Sequence, residues 1–321
     1  MSDIPKLVTI NEDGPREGFQ IESAAIRTED KVKLIDALSE TGLRSIQIAS
    51  FVHPDRVPSM ADAEQVVAQV KMKPGVEYTG LFLNEQGLER ALATKRLSPS
   101  VGFGLCASPA FLARNANVTI EEQKERRRAM VRIAKKRGIE PSAAGNISAA
   151  FGCNFEGDIS LDQLMRTAQD VFDLAAEFDV EVKSLGLSDT MAWATPNRIK
   201  STVGALRERY PELHISLHLH DTRGMAVANA LAGLELGVSE FDGSIGGLGG
   251  CPFASHKGAA GNLCTEDFAF MCEEMGIETG LDLDRLIEAA LLAEQIVGHP
   301  LPGSIKRGGS LTALRRKSAG L

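Results

Sequence analysis

Apolar and polar positions along this chain follow two periods in turn. A period of two marks strands, whose side chains alternate between faces, and a period near 3.6 marks helices. Short apolar or alternating runs at Leu7–Ile10, Ser45–Ser50, Glu77–Leu83, Ser100–Leu105, Ser142–Phe151, Glu181–Leu187, His214–His220 and Phe241–Ile245 predict eight strands. Helical spacing falls between them, over 29–41, 61–71, 86–96, 119–137, 160–178, 196–209 and 222–236. Thr119 with Glu122 three residues on is a capping-box pattern, Ser160 is a helix N-cap, and Pro196 opens a helix. Residues 265–297 predict two more helices.

Strand–helix units in series, with no hairpin between strands, predict a parallel sheet. Eight of them predict a (β/α)8 TIM barrel, a fold of ~250 residues. A doubly wound open sheet is the alternative, but no glycine-rich nucleotide fingerprint follows the first strand. The expectation is one catalytic domain over residues 1–321. Its part from 265 to 321 would form C-terminal helices and a basic, solvated tail (Lys306, Arg307, Arg315, Arg316, Lys317).

In the seventh strand Ser216, His218 and His220 alternate with Ile215, Leu217 and Leu219. The two imidazoles therefore share a face, close enough to hold one metal ion. They also sit at the C-terminal end of a strand, where parallel α/β folds bind ligands. Asp221 begins the turn into the next helix and is assigned to capping. The same barrel end would gather Arg16 and Glu17 after the first strand and Asp189 after the sixth. After the eighth comes a glycine-dense loop carrying Cys251, then Asn262. Two imidazoles, a carboxylate and an amide oxygen make a mixed N/O ligand set. That suits Mg²⁺, Mn²⁺ or Zn²⁺ better than a thiolate-rich structural site would.

Composition narrows the rest. The net charge of −8 makes the chain a poor candidate for nucleic-acid binding, which needs clustered Lys and Arg. No apolar run approaches the ~20 residues of a membrane span. The N-terminus lacks a basic-then-apolar secretion signal, so a cytoplasmic location is expected. Five scattered cysteines argue against a disulfide framework. Cys106, Cys153, Cys264 and Cys272 are expected to be small buried residues.

Five stretches together resemble the hydroxymethylglutaryl-CoA lyase family, a group of metal-dependent barrel lyases. They are Asp13-Gly14-Pro15-Arg16-Glu17-Gly18-Phe19-Gln20, Phe51-Val52, His218-Leu219-His220-Asp221-Thr222, Gly247-Leu248-Gly249-Gly250-Cys251-Pro252 and Gly261-Asn262-Leu263. The likeness runs from about residue 6 to 295. It implies a retro-Claisen cleavage of a 3-hydroxy-3-substituted acyl-CoA to acetyl-CoA and a 3-oxo acid. It implies Glu17, His218, His220 and Asn262 as metal ligands, with Mg²⁺ or Mn²⁺ favoured over Zn²⁺. Arg16 would stabilise the enolate oxygen, Cys251 would supply the quenching proton, and Asp189 would assist at the hydroxyl. His218 is also a candidate for proton transfer. A homodimer is implied by likeness alone.

Three positions depart from the family pattern. Gln47 stands on the second strand where the lyases carry a glutamate, and an amide accepts no proton at neutral pH. Glu17 stands where most relatives have Asp. The loop between Cys251 and Asn262 is longer, through Ser255-His256-Lys257, so His256 and Lys257 become candidates for contact with the acyl group or the CoA phosphates. A Claisen-type synthase or aldolase of the same superfamily is the alternative function. A metal- and CoA-binding protein without turnover is the second alternative. The Gln47 departure predicts low activity on hydroxymethylglutaryl-CoA and a faster Gln47→Glu variant. A variant no faster than the parent in a steady-state assay contradicts this.

Overall fold

The computed structural model describes residues 4–98, 100–249 and 261–318. Eight parallel strands form the wall of a (β/α)8 barrel: β1 Thr9–Glu12, β2 Ser45–Ser50, β3 Glu77–Leu81, β4 Phe103–Cys106, β5 Ala144–Ser148, β8 Ser184–Ser188, β9 His214–His218 and β10 Glu240–Gly243. Two further strands, β6 Gly152–Cys153 and β7 Gly157–Asp158, make a small antiparallel hairpin outside the wall. The expectation of no hairpin fails there. The hairpin is an excursion after β5, and the barrel strands remain parallel throughout. Their order is β3-β2-β1-β10-β9-β8-β5-β4. Among the described residues β3 and β4 share no ladder, so a seam runs between them.

The helices are α1 Phe19–Ile21, α2 Thr28–Ser39, α3 Ala63–Gln69, α4 Glu85–Ala93, α5 Pro109–Ala116, α6 Ile120–Lys136, α7 Leu161–Ala176, α8 Pro196–Arg209, α9 Ala226–Leu234, α10 Thr265–Glu274, α11 Leu283–Val297, α12 Ile305–Gly308 and α13 Leu311–Ser318. The capping box forms as its residues predict. Glu122 donates its backbone N–H to the Thr119 hydroxyl, and its carboxylate accepts from the Thr119 N–H. Ser160 and Thr195 cap α7 and α8. Helix α9 starts later than predicted, because Gly224 at φ 67° makes a turn first.

Strand pleating divides the wall into two faces. Ile10, Ile46, Ile48, Phe103, Leu105, Ile147, Leu185, Leu187, Ile215, Leu217 and Phe241 are buried towards the helices in one continuous core. The opposite parity faces the lumen and is polar: Asn11, Gln47, Thr79, Asn146, Ser188, Ser216, His218 and Asp242. On this face Asn11 donates to Glu240 at 3.0 Å and to Asp242 at 3.2 Å. Asn146 is exposed although it sits on an inner strand, so the lumen is open to water.

The first strand is shifted from its predicted place. Leu7 is 58% exposed and lies outside β1, whereas Glu12 is fully buried and ends it. One Glu12 carboxylate oxygen accepts from the N–H groups of Gly14 and Ile245 at 2.8 Å, and the other accepts from the Thr265 hydroxyl at 2.6 Å. This carboxylate ties the loop after β1 to the loop after β10 and to α10. The tail also differs from a solvated end. Lys306 is buried and pairs with Glu294 at 3.0 Å, and Arg315 pairs with Glu274 at 2.8 Å. Cys106, Cys153, Cys264 and Cys272 are buried and free, as expected. Among the described residues no helix is long and apolar enough to cross a membrane.

Burial pushes the Glu12 carboxyl up to about 8, against the hydrogen bonds that lower it. A carboxyl raised on folding contributes stability that is complete below its unfolded value and is lost as pH rises through its folded value. That window runs from about 4.5 to about 8. In EDTA-treated protein the melting temperature should therefore fall as pH rises from 6 to 9. Glu12→Gln, a neutral isostere, should flatten that fall. An unchanged pH slope in the variant contradicts this role.

Candidate active site

Glu17 is the meeting point of two strand ends, the turn after β1 and the end of β9. The chain leaves β1 in a single π-helical turn, Gly14–Gly18, which places Arg16 and Glu17 at the mouth of the lumen. Such turns recur at functional sites. Glu17 Oε2 lies 2.7 Å from Arg16 Nη1 and 3.6 Å from His218 Nε2, and Oε1 lies 2.9 Å from His220 Nε2. Arg16 Nη2 also donates to Asp13 Oδ2 at 3.0 Å. Burial alone would raise the Glu17 carboxyl. The Arg16 guanidinium and the two imidazoles outweigh it and hold the group well below the ordinary carboxylate range.

The two histidines share one orientation. The β9 ladder ends at His218 rather than at His220, yet the period-two expectation holds, with ring centroids 5.1 Å apart. His220 Nδ1 faces the Asp189 backbone carbonyl at 2.9 Å. A carbonyl only accepts, so Nδ1 carries the proton. Nε2 is thereby turned towards the Glu17 carboxylate. His218 Nδ1 faces Asp242 Oδ2 at 3.1 Å, again leaving Nε2 towards Glu17. Imidazoles anchored through Nδ1 by a carbonyl or carboxylate, with the other nitrogen turned inward, are the usual arrangement around a metal. Burial opposes charge on His218. The carboxylates of Glu17 and Asp242 prevail and raise its pKa well above the ordinary value, so in the absence of a metal the ring holds its proton between them.

Asn262 completes the group. It bridges His220 backbone to backbone, and the adjacent Leu263 N–H donates to Leu219 at 2.8 Å. Its side chain is buried, and among the described residues neither Oδ1 nor Nδ2 has a partner. A Cβ built on Gly249 would lie 3.3 Å from Asn262 Oδ1 and 3.6 Å from Glu17 Cγ, so Gly249, at φ 108°, packs bare backbone between the two. An orphaned amide oxygen and two imidazole Nε2 atoms turned towards one carboxylate fit a divalent cation, which would replace the protons between them. Glu17, His218 and His220 form a group whose ligand atoms lie within 4.8 Å of one another.

Asp189 closes the site from β8. Its Oδ1 accepts from the N–H groups of Trp193 at 2.7 Å and Ala194 at 3.0 Å, which holds the β8–α8 loop. Its Oδ2 is buried without a partner, and burial pushes the carboxyl up to about 6 despite the neighbouring His220. Gln47 faces the lumen from β2, with its Oε1 buried and unpartnered. Asp221 supports the start of α9 by accepting from the Ala226 N–H at 2.8 Å, in line with its assignment to capping. Cys251, His256 and Lys257 lie outside the described residues.

Two acidic residues escaped the sequence reading. Asp242 pairs in register with His218 across β9 and β10, and Asp13 Oδ2 lies 3.7 Å from His218 Nδ1. The strand pattern held a signal for Asp242. Phe241, Gly243 and Ile245 alternate outward, which leaves Asp242 on the lumen face. Burial pushes the Asp13 carboxyl up to about 6, against the pull of Arg16.

The fold and the site define a (β/α)8 barrel protein with a mixed imidazole–carboxylate–amide centre at the C-terminal strand ends. A family model described as HMGL-like matches residues 8–292. The chain is 39% identical over 298 residues to the hydroxymethylglutaryl-CoA lyase YngG of Bacillus subtilis, covering 93% of this chain and 96% of that protein. It is 39% identical over 289 residues to the human mitochondrial hydroxymethylglutaryl-CoA lyase, covering 90% and 85%. The structure of an HMG-CoA lyase from Acinetobacter baumannii, in complex with coenzyme A and 3-methylmalate, superposes with a TM-score of 0.84 at 33% identity. It covers 97% of this chain and 96% of that one. The chain belongs to the HMGL-like family.

If Asp242 anchors His218 for metal binding, Asp242→Asn should weaken Mn²⁺ affinity about 10–100-fold with the fold retained. Competition against a chelating dye measures this, and unchanged affinity contradicts it.

Proposed function

We propose that the chain is a divalent-metal-dependent carbon–carbon lyase. It cleaves hydroxymethylglutaryl-CoA, or a close relative altered at the tertiary carbinol, to acetyl-CoA and a 3-oxo acid. The observation that carries this reading is the convergence of two Nδ1-anchored imidazoles on Glu17 beside the orphaned Asn262 amide. The family relatives supply the reaction. The acyl-CoA class also agrees with the coenzyme A in the Acinetobacter structure.

Glu17, His218, His220 and Asn262 would hold the metal, and Mg²⁺ or Mn²⁺ suits their harder donors better than Zn²⁺. When bound it supplies a Lewis acid for the substrate's hydroxyl. Asp189, raised to about 6 and with Oδ2 free, takes the hydroxyl proton. Gln47 has no part in this step, since an amide accepts no proton at neutral pH. As the C–C bond breaks, negative charge moves onto the thioester oxygen, where the Arg16 guanidinium opposes it. Arg16 is preorganised for this by Asp13 and Glu17, and its Nε is unpartnered. The Cys251 thiol then delivers the proton that turns the enolate into acetyl-CoA. His256 and Lys257, on the same loop, are assigned to acyl-CoA contact. Residues 1–321 act as one catalytic unit, working in the cytoplasm as a homodimer.

Acetyl-CoA release from a panel of 3-hydroxy-3-substituted glutaryl- and succinyl-CoA thioesters tests this. Release from at least one, abolished by EDTA and restored by Mg²⁺ or Mn²⁺, is expected. Arg16→Gln should lower kcat by about 10²–10³. Release that survives EDTA, or none from any thioester, overturns the reading.

A further inference from the structure

The lumen contains a cation that the chemistry above does not use. Arg127 belongs to α6, outside the wall, yet its guanidinium reaches the inner face of β4. A Cβ built on Gly104 would lie 3.5 Å from an Arg127 Nη and 3.7 Å from the Asn146 Cβ. Gly104 faces the lumen, since Phe103 and Leu105 on either side are buried in the outer core. It pairs in register with Asn146, whose Nδ2 donates to the Ser188 hydroxyl at 3.0 Å. Ser188 in turn pairs in register with His218. Glycine at 104 leaves the inner face of β4 bare in van der Waals contact with the guanidinium, beside the unladdered seam between β3 and β4.

This guanidinium is unpaired. Among the described residues the buried cations Arg16, Lys31 and Lys306 each have a carboxylate oxygen within 3.0 Å, from Glu17, Asp62 and Glu294. Among the described residues Arg127 has no hydrogen-bond or ion-pair partner, and its Nε is buried without an acceptor. Burial, with no acidic neighbour to offset it, pulls its pKa down to about 10. It stays charged at neutral pH, with five donors in a planar fork suited to a carboxylate. A buried unpaired charge is costly and is normally compensated by a partner.

Its position indicates what that partner is. In the ring of strands β4 lies opposite β10, four places away in either direction. The metal-ligand group projects from β9 and from the loop after β1, on either side of β10. Arg127 therefore faces that group across the lumen. We propose that Arg127 is a specificity-determining residue that receives the free carboxylate of the substrate's acyl group, so that this chain selects acyl-CoA thioesters ending in a carboxylate. The inference rests on the lyase reading for the thioester, but its test does not depend on turnover.

The probe is 3-methylglutaryl-CoA, which lacks the hydroxyl and so cannot undergo retro-Claisen cleavage. Calorimetry on the metal-loaded full chain compares it with its terminal carboxamide. The parent should bind the acid at least tenfold more tightly than the amide. Arg127→Met should abolish that preference while leaving amide affinity unchanged, and Arg127→Lys should retain part of it. Gly104→Asp, which sets a carboxylate beside the guanidinium, should also abolish it, and decides the matter if Arg127→Met does not fold. Equal affinities in the parent, or a preference that persists in Arg127→Met, overturn the proposal. A preference that follows Arg127 in a chain that cleaves no thioester supports it and refutes the lyase reading instead.

Discussion

The buried carboxylate of Glu17 is the constraint on which the site depends. It brings together the turn after β1, through Arg16, and the end of β9, through His218 and His220. Charges taken out of water are retained only where geometry and further hydrogen bonds repay the loss, and removing one partner costs about 3–5 kcal/mol. Each neighbour of Glu17 is fixed in turn: Arg16 by Asp13, His218 by Asp242, and His220 by the Asp189 carbonyl. Glu12, one turn earlier, performs a parallel task in the wall and locks the loops that frame the mouth.

The barrel makes this arrangement affordable by separating its two faces. Apolar strand positions pack outward against the helices and supply the burial that stabilises the fold. The inner face is thereby free to be polar and wet, unlike the packed interior of most barrels of this kind. The Glu17–His218–His220 group occupies one side of the lumen and Arg127 the other. On the proposed reading, a substrate that bridges them would meet a Lewis-acid centre, a charge for its enolate oxygen and a cation for its far end. Binding energy from that far end can be spent on orienting the reacting bond.

Much of this was legible in the residues. The regular change of period revealed eight strand–helix units. The alternation around His218 and His220 put both rings on one face. The Thr119–Glu122 box and Pro196 placed helix starts almost to the residue. The failures share a physical origin. Glu12 is ionisable and follows polar Asn11, so the apolar pattern ends before it, although burial with three hydrogen bonds places it in β1. Asp242 and Asp13 acquire meaning only from His218, which is distant in sequence. Arg127 looks like one of many charges on a basic helix face, and only the structure shows its guanidinium beside Gly104 on the inner face of β4. Lys306 reads as part of a solvated tail until Glu294 is seen beside it.

The central claim is that His218 and His220 are joint ligands of one divalent metal. Electron spin-echo spectroscopy of Mn²⁺ bound to the full chain tests it most directly. The account predicts modulation from two directly bound imidazole nitrogens, reduced to one by His218→Ala or by His220→Ala. Mn²⁺ bound at one site per chain with no coupled imidazole nitrogen would contradict it.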